Sequence, residues 1–372
     1  MPSSTRSGTT PGARSDGWAT SCDHGAVEAV SAAGTRGGSF PMFVGCGRSG
    51  TTLVRAIFDS HSRLAVAHHA QFIVEMGRRR RRYENVHGLV TERFLTDLFA
   101  SHRFPLLQVP EATVRDAFVR PVPTYAGAVR RVLGLYAEHQ GKPRYADKTP
   151  GHVLRIGLLG ELFPEARFVH VIRDGRSSWL GYRERGFGPQ TVADAAFNWK
   201  GRVLRGRRAG KALGEGRYRE VRYEDLVERP EETLRPLCAF LDLEYEPNML
   251  QFHERADTVL AGMGGSGRTA FENVARPLTQ GLRDWRGELA PEDLELFDAI
   301  AGDLLADLGY ERTGSADSLA ARRAVAGGWL QWQGRRGRFQ VTRLQRRLGL
   351  ASSATPVDDW GHSQPRSRPS SE

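Results

Sequence analysis

Phe40-Pro-Met-Phe-Val-Gly-Cys-Gly-Arg-Ser-Gly-Thr-Thr-Leu-Val-Arg-Ala-Ile-Phe-Asp59 reads as a short apolar strand, a glycine-rich turn and an amphipathic helix. Four residues separate Gly45 from Gly50, as in a Walker A loop, where Lys and then Ser or Thr would follow. Here Thr51 and Thr52 follow instead. Such a loop still aims backbone N–H groups and a helix N-terminus at an anion. It lacks the lysine that grips a β/γ-phosphate pair and carries a cation inside the loop, at Arg48. The stretch predicts a phosphate-binding loop that has left nucleoside-triphosphate chemistry.

Working outward, strands alternate with helices. Apolar runs predict strands at 40–45, 64–66, 167–172 and 217–221. Helical spacing predicts helices over about 51–60, 89–101, 122–140, 151–162, 231–241 and 291–308, and another after the polar turn Arg173-Asp-Gly-Arg176. The alternation predicts an α/β fold, a P-loop-like central parallel sheet flanked by helices. Anion sites then belong at the carboxyl ends of the strands, where the 45–52 and 173–178 segments both fall.

The 372 residues divide into a predicted disordered leader (1–38), a core domain (39–313) and a basic extension (314–372) that is partly disordered. The leader lacks an apolar signal core and no run of 18 apolar residues occurs, so neither a secretory signal nor a spanning helix is expected. Three scattered cysteines build no disulfide framework or zinc site, so a cytoplasmic protein is expected. The formal charge of +10 fits anionic ligands without choosing among them. The five-arginine run Arg78–Arg82 reads first as a solvated face. Residues 322–347 carry eight arginines with Trp329 and Trp332 and read as a basic amphipathic segment: a peripheral membrane contact, a lid over an acceptor site, or a poorly ordered extension.

Four segments recur together: Arg48-Ser-Gly-Thr-Thr-Leu53, Asp147-Lys-Thr-Pro150, Val171-Ile-Arg-Asp-Gly-Arg176 and Val221-Arg-Tyr-Glu-Asp-Leu226. In this order the chain, over roughly residues 40–310, resembles the sulfotransferase superfamily, and within it the bacterial branch related to tyrosylprotein sulfotransferases. The resemblance implies a donor, 3′-phosphoadenosine 5′-phosphosulfate (PAPS), and a hydroxyl acceptor that is a small molecule, carbohydrate, lipid or peptide. The scattered histidines show no metal-ligand spacing, so no metal is expected, and no nucleic-acid partner is expected either. Gly47, Arg48, Ser49, Gly50, Thr51 and Thr52 would hold the 5′-phosphosulfate, with Arg48 near the bridging oxygen. Arg173 matches the arginine that binds the 3′-phosphate, and Lys148 matches a second cation near the departing group. Thr149 and Pro150 read as a hydroxyl N-cap followed by Pro at N1. Tyr223 matches a tyrosine near the nucleotide. The 262–287 stretch resembles a closing loop with donor contacts from Arg268, Trp285 and Arg286.

The pattern breaks at two places. The serine usually found eight residues after the 3′-phosphate arginine is Gly181 here, with Ser177 and Ser178 one helical turn earlier. The glutamate usual after the second strand is absent, and His68 and His69 stand in its place. An imidazole with pKa about 6.5 suits proton removal from an acceptor hydroxyl. Which histidine aligns stays open at this level, with His69 nearer the apolar Phe72-Ile-Val74 run. A P-loop small-molecule kinase and a non-catalytic nucleotide-binding protein are the alternatives.

Overall fold

The computed structural model describes residues 38–184, 188–255, 274–313 and 319–347. Seven strands are described: β1 (Phe40–Gly45), β2 (Leu64–His68), β3 (Glu84–Asn85), β4 (Gly88–Leu89), β5 (Arg144–Lys148), β6 (Ala166–Ile172) and β7 (Tyr218–Arg222). Five of them form one sheet in the order β2-β5-β1-β6-β7, every pairing parallel. β3 and β4 make a separate antiparallel hairpin.

The helices interleave with these strands. α1 (Thr51–Asp59), α2 (Phe72–Gly77), α3 (Thr91–Phe99), α4 (Glu111–Ala117) and α5 (Tyr125–His139) precede β5. α6 (Ile156–Leu162) precedes β6, and α7 (Gly175–Arg183) and α8 (Val192–Lys211) lead to β7. Beyond it lie α9 (Tyr223–Glu228), α10 (Pro230–Phe240), α11 (Trp285–Glu288), α12 (Pro291–Asp307) and α13 (Leu319–Arg347).

Both faces of the sheet are buried, as a parallel sheet requires. Along β1, Phe40, Met42 and Val44 enter one apolar cluster with α2, α3 and α5, while Phe43 enters another with α1 and α10. β2 divides the same way, Ala65 and Ala67 against Leu64 and Val66. Ile172 at the end of β6 joins a third cluster with α7, α8, α11 and α12.

The outer edge of β2 is closed by side chains rather than by another strand. Val66 N–H donates to Asp59 Oδ1 (2.8 Å), and Val66 O accepts from Arg55 Nε (3.0 Å) and Tyr136 Oη (3.2 Å). Leu64 O accepts from Lys142 Nζ (3.0 Å). Backbone groups that an edge strand exposes are thereby satisfied from α1, α5 and the turn before β5.

Several predicted elements are corrected. β5 is a central strand that the sequence did not announce, because Arg144, Asp147 and Lys148 are all charged and all buried. Each has hydrogen-bond partners, and those of Arg144 come from far along the chain: its guanidinium donates to the carbonyls of Asp242 (2.7 Å), Ser39 and Leu241 (both 2.9 Å). The 20-residue α8 also went unread, its arginines and glycines masking a buried stripe from Val192 through Trp199 to Val203. The predicted 151–162 helix is a 3₁₀ turn, Pro150–Arg155, followed by α6. Thr149 precedes that turn without capping it; its hydroxyl donates to Asp147 Oδ1 at 2.8 Å instead. Within the C-terminal extension, α13 packs on α8 and α12: Trp332 stacks on Phe197 at 5.5 Å and Arg335 pairs with the buried Asp194 at 2.6 Å. Residues 1–37 of the leader and 348–372 lie outside the described residues.

Candidate active site

The loop after β1 turns back through the Ser49 N–H, which donates to Cys46 O at 3.3 Å. Arg48 takes a left-handed backbone (φ 67°), as does Gly50 (φ 88°), the N-cap of α1. No side chain caps α1, so its first-turn N–H groups face forward as an anion site. Glycine at 50 is required twice over. Its φ is unfavourable for other residues, and a Cβ would lie 2.2 Å from the Tyr223 ring. A Cβ at Gly47 would lie 2.0 Å from Tyr182 Oη. Ser49 is fully buried, and its hydroxyl oxygen has no hydrogen-bond partner.

Next to this loop, β5 delivers Lys148. Its Nζ donates to Thr52 Oγ1 at 3.4 Å, linking the strand end to the first turn of α1. Burial, and then the nearby Arg55, hold the Lys148 ammonium well below its ordinary pKa, while Asp147 opposes the shift. A nearby negative charge would stabilise a buried ammonium beside guanidiniums.

β2 ends beside β5, His68 opposite Lys148 in register. The rings of His68 and His69 meet edge to face at 4.2 Å. His69 is left-handed (φ 54°), and its N–H donates to Lys148 O at 3.1 Å. Burial, followed by the charge of Lys148, holds both imidazoles well below their ordinary pKa. Both are therefore neutral at neutral pH and able to accept a proton. His68 is buried, whereas His69 is half-buried. Arg103, which acts electrostatically on both histidines and on Lys148, was not singled out in the sequence. It sits 35 residues after His68 with no motif around it, and only the fold brings it here.

On the other side of β1, the Arg173 guanidinium lies over the Tyr223 ring at 4.2 Å and donates to Leu282 O, while its Nε has no partner. Trp199 Nε1 holds the Arg173 carbonyl at 2.9 Å. Ser177 and Ser178 are buried in the first turn of α7, and Ser178 Oγ lacks a partner. At Gly181 a Cβ would sit 3.1 Å from Nε and 3.2 Å from Cβ of Arg48. The space of the missing serine is thus taken by the Arg48 side chain. Arg283, also left-handed (φ 57°), pairs with Glu184 at 2.6 Å.

The fold gathers Gly47 to Thr52, Lys148, His68, His69, Arg173 and Tyr223 at the carboxyl ends of the strands. Three of the five non-glycine residues with positive φ among the described residues, Arg48, His69 and Arg283, lie here. Two expected donor contacts have protein partners of their own. Trp285 is buried in the third core cluster, with the Arg176 guanidinium 3.7 Å from its ring centroid. Arg286 is exposed and pairs with Glu311 at 2.9 Å. Arg268 lies outside the described residues. Among the described residues no group of three or more His, Cys, Asp or Glu could hold a metal ion, and no helix is long and apolar enough to cross a membrane.

A parallel sheet with an uncapped helix after its central strand and buried cations at its carboxyl end defines an anion-handling α/β protein. The sulfotransferase family's sequence model matches residues 41–247, and the chain belongs to that family. It is similar to the protein-tyrosine sulfotransferase of Drosophila melanogaster, 24% identical over 274 residues, covering 72% of this chain and 50% of that protein. Protein-tyrosine sulfotransferase 2 of Gallus gallus is 26% identical over 278 residues, covering 72% and 68%. The chain therefore spans half the length of the first relative and about two thirds of the second. The sulfotransferase domain from the curacin biosynthetic pathway shares the fold, with a TM-score of 0.51 and 22% identity over 74% of this chain and 99% of that one.

Proposed function

We propose that the protein transfers a sulfuryl group from PAPS to an acceptor hydroxyl. The observation that carries this reading is Lys148 Nζ against Thr52 Oγ1 at the uncapped start of α1, with Arg48 beside it. The residues fit a phosphosulfate. Ser49 and Ser178 offer buried hydroxyls without partners, and the loop offers N–H groups and cations. The donor supplies the activated sulfuryl group when bound.

The chain's own residues do the rest. The α1 N-terminus, Ser49, Thr51 and Thr52 hold the 5′ end through N–H and O–H donors. Arg48 and Lys148 place positive charge where negative charge grows on the leaving side, which lowers the barrier more than it tightens ground-state binding. Fixed cations fill the role that Mg²⁺ takes in ATP chemistry. Arg173, oriented by Tyr223, offers its guanidinium fork to the 3′-phosphate. Neutral His69, the more exposed of the pair, takes the acceptor proton on an imidazole nitrogen, and His68 braces its ring. Arg103 adds positive charge near the histidine pair.

The named relatives make a peptide tyrosine one acceptor class, beside small-molecule, carbohydrate and lipid hydroxyls. A cytoplasmic protein remains our expectation. Calorimetry with 3′-phosphoadenosine 5′-phosphate (PAP), ATP and ADP, without and with Mg²⁺, tests the donor. PAP binding without metal, tighter than ATP, is expected. Tighter ATP binding with Mg²⁺ would favour the kinase reading instead.

A further inference from the structure

The peptide unit that joins Arg173 to Asp174 is held by side chains at both polar ends. Its carbonyl accepts from Trp199 Nε1 on α8 (2.9 Å), and its N–H donates to Glu224 Oε1 at the start of α9 (3.0 Å). The other Glu224 oxygen, Oε2, accepts from Tyr310 Oη at 2.9 Å. Tyr310 is buried in the third core cluster, so the glutamate bridges a backbone amide of the turn after β6 to a fixed point just beyond α12.

The rest of this turn is fixed from the same direction. The Asp174 carboxylate caps α7 by accepting from the Arg176 N–H at 2.8 Å. The Arg176 guanidinium donates to both Asp174 oxygens, Nε to Oδ1 at 3.1 Å and Nη2 to Oδ2 at 2.8 Å. It also reaches Asp298 Oδ1 on α12 (3.4 Å) and Glu311 O (2.7 Å). A Cβ at Gly175 would lie 2.6 Å from both Phe297 and Trp199. Phe297, Asp298, Tyr310 and Glu311 all lie beyond residues 41–247, the span that the family model matches.

Two holds on Arg173 meet at Glu224. Its carboxylate fixes the amide that follows Arg173, and the residue before it, Tyr223, has its ring centroid 4.2 Å from the guanidinium carbon. We propose that Glu224, braced by Tyr310, is a positioning residue for 3′-phosphate selectivity, aiming Arg173 rather than binding the donor itself. A guanidinium fork that is mis-set keeps its charge and loses its paired geometry, so recognition of the 3′-phosphate suffers while the rest of the nucleotide site holds. This rests on the donor reading above.

The test is calorimetry of the full chain with PAP and with adenosine 5′-monophosphate, which differ only in the 3′-phosphate, with melting temperature as the fold control. In Glu224→Ala the ratio of PAP affinity to monophosphate affinity should fall by about ten-fold, the scale of one hydrogen bond to a charged group. Glu224→Gln keeps an oxygen for the Asp174 N–H and should restore most of the ratio. A residue that only stabilises the fold would lower the melting temperature, or both affinities alike, and leave the ratio where it was. An unchanged ratio in folded Glu224→Ala, or a loss that Glu224→Gln does not restore, overturns the proposal and leaves the donor reading intact. Should Glu224→Ala fail to fold, Tyr310→Phe decides. A ratio lower by about three-fold is expected there, the scale of one hydroxyl hydrogen bond, and an unchanged ratio overturns the proposal. A natural protein that binds PAP no tighter than the monophosphate would overturn the donor reading itself.

Discussion

On the β1 and β6 side, the site is shaped by backbone: two left-handed residues, an uncapped helix start and glycines pressed against Tyr182 and Tyr223. On the β2 and β5 side it is shaped by side chains, with Lys148, Asp147, His152 and the histidine pair brought together around the paired ends of β2 and β5. The first arrangement presents donors that do not titrate. The second holds ionisable groups in a dry setting, where every charge depends on its neighbours. Grip on the donor should therefore be insensitive to pH until Lys148 titrates, and chemistry should be sensitive throughout.

The largest expected effect falls on the side-chain half. His69→Gln should lower kcat by about 10²–10⁴-fold, the range for losing a general base, and leave PAP affinity nearly unchanged. Because burial and Lys148 depress its pKa, His69 stays neutral to lower pH than a free imidazole. The acid limb of kcat/KM in the free enzyme should lie below pH 6.5 and disappear in the variant. A limb at or above 6.5 would mean that the base is another group.

Next comes Arg48→Ala on the backbone half, with kcat lower by roughly 10²-fold and donor affinity changed far less. A rise in KM with unchanged kcat would make Arg48 a binding residue and would erase the contrast between the two halves.

Arg173→Ala should weaken PAP by about 30-fold or more, the scale for removing one partner of a buried charge pair. It should barely affect adenosine 5′-phosphosulfate, which lacks the 3′-phosphate. Equal losses for the two ligands would move Arg173 off the 3′-phosphate.

A smaller change is expected from Gly181→Ser, which crowds Arg48 at 3.1–3.2 Å. Where it falls on the transition-state position of Arg48, an overpacking cost of about 1 kcal/mol corresponds to a kcat about five-fold lower. An unchanged or raised kcat would show that Arg48 moves aside freely. The smallest effect on chemistry should come from truncation after Thr313. It removes α13 from α8, uncovers Phe197 and leaves Asp194 without Arg335, so melting temperature should fall by about 2–4 °C per kcal/mol lost while kcat holds.

The same division decided what could be read from the sequence. Gly45, Arg48 and Thr52 lie in one contiguous stretch, and Arg173 follows an apolar strand, so local pattern sufficed to predict loop, sheet and anion site. β5 did not look like a strand, because Arg144 and Lys148 are hydrogen-bonded by groups from distant segments that no local window contains, and Asp147 by side chains two and five residues on. Arg103 was invisible as a site residue for a like reason, since it lies far in sequence from the groups it acts on. Trp285 is a different case. A tryptophan flanked by basic residues resembles a stacking surface, and only the fold shows Arg176 already over its ring.

The closed edge of β2 also bears on how the protein breathes. An edge-strand amide ordinarily trades its hydrogen with solvent through small, frequent openings. The Val66 amide is held by buried Asp59, and the carbonyl of the same residue by Arg55 and Tyr136. Isotope exchange at Val66 therefore requires the end of α1 to part from the strand. Val66 lies two residues before His68, so its exchange rate reports how often the proposed catalytic edge comes loose.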